Sequence, residues 1–141
     1  MTTRIAWTEE TWNPVTGCSK VSPGCAHCYA ERLSHRYAWT SEPWTPEHAG
    51  ENVVLRPERL RRPLRWRKPK MVFVNSMSDL FHEEVPDEFI DQVFSIMALA
   101  PQHTFQVLTK RPERMRDFVG PWCVSNAWPW LPNVWLGVSA E

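Results

Sequence analysis

The chain has 141 residues, of which 43% are hydrophobic and 23% charged, the composition of one soluble globular domain. Sixteen basic and sixteen acidic residues give a formal net charge of zero, so no overall field would draw the molecule to nucleic acid or a membrane. No apolar run approaches the roughly 18 residues of a membrane helix, and residues 1–8 lack the apolar core of a signal peptide, so we expect a cytoplasmic protein.

The first quarter of the chain predicts a short strand, a loop and a helix. Residues 4–8 alternate in polarity, which is typical of a strand. A loop that contains three cysteines follows, and glycine and proline residues hold it in tight turns. Tyr29, Leu33 and Tyr37 recur every fourth position, which predicts one face of a helix.

Residues 39–70 predict an irregular surface insertion, because prolines and Gly50 leave room for no more than a short helix near residues 57–62. Half of the basic residues of the chain lie within residues 56–70 of this insertion, where Glu58 alone opposes them. They are Arg56, Arg59, Arg61, Arg62, Arg65, Arg67, Lys68 and Lys70. A run of charges is usually a solvated surface. With Trp66 among them, these residues also suit phosphate contacts and base stacking, so contact between Arg56–Lys70 and nucleic acid is the alternative.

The second half of the chain alternates between predicted strands and helices. The strands are residues 71–75, an apolar run suited to burial on both faces, then 104–108 and 134–138. A helix that begins at Pro86 and stops at Pro101 carries apolar residues at i, i+3, i+4 and i+7. They are Ile90, Val93, Phe94 and Met97. A short helix is predicted from Pro112 to Phe118.

This alternation predicts an α/β fold with a partial parallel sheet of βαβ units in a single domain, residues 1–141. Chemistry gathers at the carboxyl ends of such strands, and here those ends carry polar side chains, at residues 75–79, 109–111 and 139–141. The chain stops directly after its last strand, so we expect either a continuation beyond Glu141 or a partner chain that covers that strand.

Three of the four cysteines, Cys18, Cys25 and Cys28, have the spacing Cys-x6-Cys-x2-Cys. In a cytoplasmic protein such a group is more often a metal site than a disulfide framework. Three thiolates fit a 4Fe–4S cluster that leaves one iron open to a substrate or cofactor. Zinc is the alternative, and a structural zinc site needs a fourth ligand. The candidates for that ligand are His27, His35 and Cys123.

The cysteine loop before the first helix of a βαβ series resembles that of radical S-adenosylmethionine (SAM) enzymes, whose commoner spacing is Cys-x3-Cys-x2-Cys. The segment Trp12–Glu31 more closely resembles an uncharacterised family of phage and bacterial proteins with the wider spacing, as do residues 74–82, 108–113 and 135–139. The resemblance covers nearly the whole chain, which is similar to the N-terminal half of those proteins. It implies the front of a TIM-like barrel and a radical SAM-type enzyme of unknown substrate, supplied with electrons by a reductant such as flavodoxin or ferredoxin.

The resemblance also implies a role for individual residues. Cys18, Cys25 and Cys28 would hold the cluster, and His27 would lie beside the adenine of SAM. The methionine amino group would meet Ser76, Ser78 or Asp79, and a carboxylate such as Asp79 suits an ammonium. The methionine carboxylate would meet Lys110 or Arg111, and the ribose hydroxyls would meet Ser139 or Glu141.

Simpler interpretations remain for several of these residues. Asp79 is a common turn former and is as well suited to capping the turn at residues 76–81. His82 and His103 are expected at the surface or as capping residues, and Cys123 as a packed thiol. The functional alternative to the enzyme is a zinc-stabilised, non-catalytic module that binds nucleic acid.

Overall fold

The structure is a computed structural model that describes residues 8–20, 25, 28–40, 42–126 and 130–139. Residues 4–7 of the first predicted strand lie outside these ranges. The strands are β1 (Glu10–Trp12), β2 (Val15–Thr16), β3 (Val54–Leu55), β4 (Met71–Val74), β5 (Thr104–Thr109) and β6 (Val134–Val138). The helices are α1 (Tyr29–Arg36), α2 (Ala49–Asn52), α3 (Arg62–Arg65), α4 (Asp87–Leu99) and α5 (Pro112–Ser125), with 3-10 turns at Pro46–His48 and Pro57–Arg59.

Four of the strands form one parallel sheet in the order β1-β4-β5-β6. Helix α4 connects β4 to β5, and α5 connects β5 to β6, as in βαβ units. The predicted α/β fold with a parallel sheet is therefore confirmed. The sheet is open, and the described strands do not close into a barrel.

The core lies between this sheet and helices α4 and α5. The four periodic residues predicted for α4 (Ile90, Val93, Phe94 and Met97) are all fully buried. Phe94 is the centre of an aromatic cluster, with ring centroids 5.5 Å from Phe118 and 5.4 Å from Trp122. Contacts of this kind add to the burial of apolar area and fix the two helices against each other.

The opposite face of the sheet is less covered than the apolar run at residues 71–75 predicts. Val72 and Val74 are buried, but Met71 and Phe73, which alternate with them, are half-buried. On β6, which lies beyond β5 in the same sheet, Trp135 is 53% exposed. Because side chains alternate between the two faces of a strand, this pattern means that one face of the sheet is buried and the other is partly open to solvent.

Residues 39–70 are more ordered than predicted. They contain α2, α3, two 3-10 turns and β3, which pairs antiparallel with β2 beside the cysteine loop. The basic segment is thus held against the residues that precede Cys18. Within the described ranges, no helix is both long and apolar enough to cross a membrane.

Candidate metal and cofactor site

A cavity of about 320 Å³ lies at the carboxyl ends of β4, β5 and β6, where the cysteine loop covers the sheet. We call it the cysteine cavity. Nine of the eleven predicted site residues line it. They are Cys18, Cys25, Cys28, Ser76, Ser78, Asp79, Lys110, Arg111 and Ser139. The other two, His27 and Glu141, lie outside the described residues.

Backbone contacts fix the cysteine loop to the end of β4. The Gly17 N–H donates to the Met77 carbonyl over 3.0 Å, and the Ser78 hydroxyl donates to the Val15 carbonyl over 2.7 Å. Gly17 has φ +86° and packs against the backbone of Asn52, so a side chain at this position would overlap the Asn52 carbonyl. The turn before Cys18 therefore requires glycine.

The third cysteine lies where the loop enters helix α1. Cys28 is the N-cap residue of α1, and its carbonyl accepts the first helical hydrogen bond, from the Arg32 N–H over 3.2 Å. Glu31, in the first turn, binds Lys20 over 2.7 Å and accepts the Trp44 N–H over 2.8 Å, which anchors the helix to the loop.

The three cysteines of the cavity supply three of the four ligands that a closed zinc site needs. Among the described residues, the group of metal-ligating side chains whose ligand atoms all lie within 4.8 Å of one another is Glu42, His48 and Glu51, and these residues do not line the cysteine cavity. Three thiols without a fourth ligand are the donor set of a 4Fe–4S cluster that keeps one iron open.

The candidates for a fourth zinc ligand do not join the cysteines among the described residues. His35 is exposed on α1, where its Nε2 lies 3.0 Å from the Glu42 carbonyl oxygen. Cys123 packs against the core from α5 and is not part of the cavity wall, in agreement with its interpretation as a packed thiol.

Arg111 connects the cysteine loop to the ends of β4 and β5. Its guanidinium Nε donates to Glu83 Oε1 over 2.9 Å, and one terminal nitrogen donates to Asp79 Oδ2 over 3.2 Å. The same nitrogen lies 3.7 Å from Cys18 Sγ. The other terminal nitrogen donates to the carbonyl and the hydroxyl of Ser19, each over 3.3 Å. These contacts use all five N–H groups of the side chain.

The Asp79 carboxylate is also filled by donors of the chain itself. It accepts the Phe81 N–H over 3.0 Å, which caps the turn, and the Lys110 N–H over 3.0 Å. The Thr109 hydroxyl donates to it over 2.7 Å, and Arg111 completes the set. This geometry favours the interpretation of Asp79 as a residue that caps the turn. Through their ion pair, Asp79 and Arg111 hold the cavity wall in position.

Burial dominates the electrostatics of the first cysteine. It raises the pKa of Cys18 to about 11, although Arg111 acts in the opposite direction. The thiol is therefore neutral at neutral pH when nothing is bound to it. A cationic iron or zinc centre would reverse this preference, because a coordinating thiol loses its proton.

The sequence predicts that His82 and His103 lie at the surface or act as capping residues. Both are buried, so the surface alternative is wrong, and each accepts a backbone N–H, as a capping residue does. His82 accepts the Glu84 N–H at Nδ1 over 3.0 Å, so its Nε2 carries the proton and donates to the Ser19 hydroxyl over 2.8 Å. His103 accepts the Lys70 N–H at Nδ1 over 3.1 Å, and its Nε2 donates to the Pro63 carbonyl over 3.0 Å. Ser19 lies 63 residues from His82 in the chain, and Pro63 lies 40 residues from His103. Local sequence therefore carries no signal for these contacts.

Asn75 is a cavity residue that the sequence analysis left without a role. It follows β4 with φ +58°, and its Oδ1 accepts the Val15 N–H over 3.2 Å. Its Nδ2 is buried and has no hydrogen-bond partner among the described residues. A buried amide donor without an acceptor costs free energy, and a bound molecule with an acceptor oxygen would remove that cost. The asparagine side chain thus fits a polar cofactor in the cavity.

Comparison with known proteins identifies one family. No curated protein and no solved structure matches the chain. Residues 2–141 match the family described as Protein of unknown function (DUF5131). Since this match covers all but the first residue, the chain belongs to the family Protein of unknown function (DUF5131).

Proposed function

We propose that this protein is an iron–sulfur enzyme of the radical SAM type, with a substrate still to be identified and a cytoplasmic location. Cys18, Cys25 and Cys28 would hold a 4Fe–4S cluster. The observation that carries this proposal is the shared cavity, which is lined by three cysteines and by the polar carboxyl ends of three parallel strands. Its volume is within the range of small-molecule sites, about 300–1,000 Å³.

When bound, a reduced cluster supplies the electron that cleaves the sulfonium of SAM, which is chemistry of the cofactors and not of the protein. The chain binds and orients the groups. Asn75 Nδ2 would donate a hydrogen bond to an acceptor such as the methionine carboxylate. Arg111 could bind that carboxylate only by giving up some of its present hydrogen bonds, because all five of its N–H groups are already used. Phe73 and Leu108 contribute apolar wall, which helps to exclude water.

The direct test is SAM cleavage by anaerobically purified protein reduced with dithionite. The proposal predicts formation of 5′-deoxyadenosine, which Cys25→Ala abolishes. The matched variant is Asn75→Asp, because aspartate tolerates φ +58° and keeps the acceptor for Val15 while it removes the donor. Asn75→Asp should weaken SAM binding at unchanged iron content. Cluster-loaded protein that neither binds nor cleaves SAM would sink the enzymatic part of the proposal.

The zinc-stabilised module is the other candidate. It predicts a colourless protein with one zinc per chain and no reaction with SAM. A structural zinc site needs a fourth ligand, and neither His35 nor Cys123 lines the cysteine cavity.

A further inference from the structure

A second cavity, of about 370 Å³, lies between helix α1 and the basic segment. We call it the arginine cavity. Its wall contains the aromatic side chain of Trp39, the guanidinium groups of Arg56 and Arg59, and several polar groups from the start of the cysteine loop. None of these residues belongs to the radical SAM resemblance as a ligand, so the cavity has no task in the function proposed above.

Among the described residues that line this cavity, the charges of Arg56 and Arg59 are opposed by one carboxylate, that of Glu51. Among the described residues, no ion pair involves Arg56, Arg59 or any basic residue between Arg61 and Lys70. Burial, followed by the nearby charges of Arg56 and Arg62, lowers the pKa of Arg59. Side chains that repel one another in this way are stabilised by a bound anion.

The arginines are held in place by neutral groups, so their charges remain available. Arg56 Nε donates to the Thr16 hydroxyl over 3.2 Å, and Arg59 donates to the Asn13 carbonyl over 3.2 Å. The cavity also contains Glu51, whose carboxylate lies 3.5 Å from His48 Nδ1. The positive charge continues beyond the cavity, because the following basic residues are exposed. These are Arg61, Arg62, Arg65, Arg67 and Lys68.

Trp39 provides an exposed aromatic surface beside these charges. Its side chain is 59% exposed and stacks on Tyr37, with a centroid distance of 5.3 Å and an interplanar angle of 28°. The turn that holds it is unusual, since Ala38 has φ +57°, a conformation that disfavours residues other than glycine. The Trp39 N–H donates to the Ser34 carbonyl over 2.7 Å, which fixes the ring at the end of α1.

From this arrangement we propose that the arginine cavity binds single-stranded nucleic acid. One base stacks on Trp39, phosphates bind Arg56 and Arg59, and the strand continues along the exposed basic residues 61–68. Proteins that bind single-stranded nucleic acid combine a basic groove, which contacts the phosphates, with aromatic side chains on which the bases stack. A folded duplex cannot present an unstacked base to the indole.

The arginine cavity adjoins the cysteine cavity. Gly17 and Met77 line the former, and their neighbours Cys18, Ser76 and Ser78 line the latter. A strand bound here would lie one layer of backbone from the proposed cluster. Such a strand would be the substrate of the enzyme proposed above. This substrate assignment rests on the proposed function, whereas the binding site itself does not.

The experiment is fluorescence anisotropy with a labelled 12-nucleotide single strand, in the DNA and RNA forms, at 50 and 200 mM salt. Trp39→Ala should weaken binding by roughly tenfold or more, and Trp39→Phe should retain most of it. Trp135→Ala is the matched control, because Trp135 is 53% exposed on the sheet, outside this cavity. The log of the association constant falls as the log of the salt concentration rises, and each phosphate contact on a single strand contributes about 0.7 to the steepness of this slope. The double variant Arg56→Gln with Arg59→Gln should therefore make the slope shallower by about 1.4.

Arg116→Gln is the control for loss of one charge, since Arg116 is exposed on α5 and pairs with Asp117. If the double variant does not fold, Arg56→Gln alone together with Trp39→Ala still tests the site. The proposal is overturned by a strand that does not bind at 50 mM salt, by Trp39→Ala protein that binds as wild type, or by a duplex or a mononucleotide that binds as tightly as the strand. Because anisotropy reports binding and not reaction, failure here leaves the cluster proposal intact, and failure to load iron leaves this one intact.

Discussion

Arg111 is the residue whose contacts hold the cysteine cavity together. Its guanidinium bridges Asp79, Ser19 and the sulfur of Cys18, from positions that are far apart in the chain. Both Arg111 and Asp79 are more than nine-tenths buried. A buried pair of this kind contributes little compared with an apolar replacement, but loss of one partner leaves an uncompensated charge.

Arg111→Met should therefore lower the free energy of unfolding by about 3 kcal/mol or more. Asp79→Asn in the Arg111→Met background should recover part of that loss, because it removes the unpaired carboxylate. Urea denaturation of the two single variants and the double variant measures the coupling. Additive losses would show that the two side chains do not act as a pair.

His82 predicts how stability depends on pH. Burial, assisted by the charge of Arg111, lowers its pKa below the ordinary 6.5, against smaller opposing effects of Glu83, Asp79 and Glu84. Below pH 6.5 the unfolded chain therefore binds a proton that the folded chain does not. The contribution of His82 to stability is complete above the unfolded pKa of 6.5, and it is lost as the pH falls from there through the lower pKa of the folded state.

The midpoint of thermal unfolding should fall between pH 7 and pH 5.5 in the wild type, and less so in His82→Gln. His35→Gln, at an exposed position on α1, is the control. Glu31 and Glu83 have lowered pKa values, and their effects belong to the range below about pH 4.5, outside this window. An unchanged pH dependence in His82→Gln would contradict the assignment.

At the scale of the element, the turn before Cys18 depends on a single glycine. Gly17→Ala would place a methyl group against the Asn52 carbonyl and force a left-handed conformation on alanine. We expect a loss of roughly 2 kcal/mol or more of stability. Gly120→Ala is the matched substitution, since nothing lies within 4 Å of the added atom on helix α5, and it should stabilise by about 0.5–1 kcal/mol. Equal unfolding midpoints for the two variants in urea would refute this account of the turn.

Local sequence pattern best predicts the elements in which apolar residues recur regularly over a long segment. Helix α4 follows from its apolar period, and β6 has the predicted bounds. Strand β1 was missed because Glu10–Trp12 is short and partly polar, and only its parallel pairing with β4 makes it a strand. Helix α5 extends seven residues beyond the predicted end at Phe118, because packing of Trp122 on the core outweighs the interruption at Pro121.

At the scale of the whole molecule, the sheet explains why much of the site could be predicted. Parallel strands bring their carboxyl ends to one edge, so polar residues after β4, β5 and β6 converge without any detail of packing. The sequence does not reveal which of these polar side chains already have hydrogen-bond partners within the chain. Asp79 and Arg111 bind each other, whereas Asn75 Nδ2 has no hydrogen-bond partner among the described residues. These outcomes depend on contacts between distant segments, which local sequence does not reveal.

The metal content of anaerobically purified, iron-reconstituted protein tests the central claim most directly. The account predicts about four iron and four sulfide per chain. Cys18→Ala, Cys25→Ala and Cys28→Ala should each lose most of this content, whereas Cys123→Ala, whose thiol packs against the core, should retain it. One tightly bound zinc per wild-type chain, with no iron uptake, would contradict the claim.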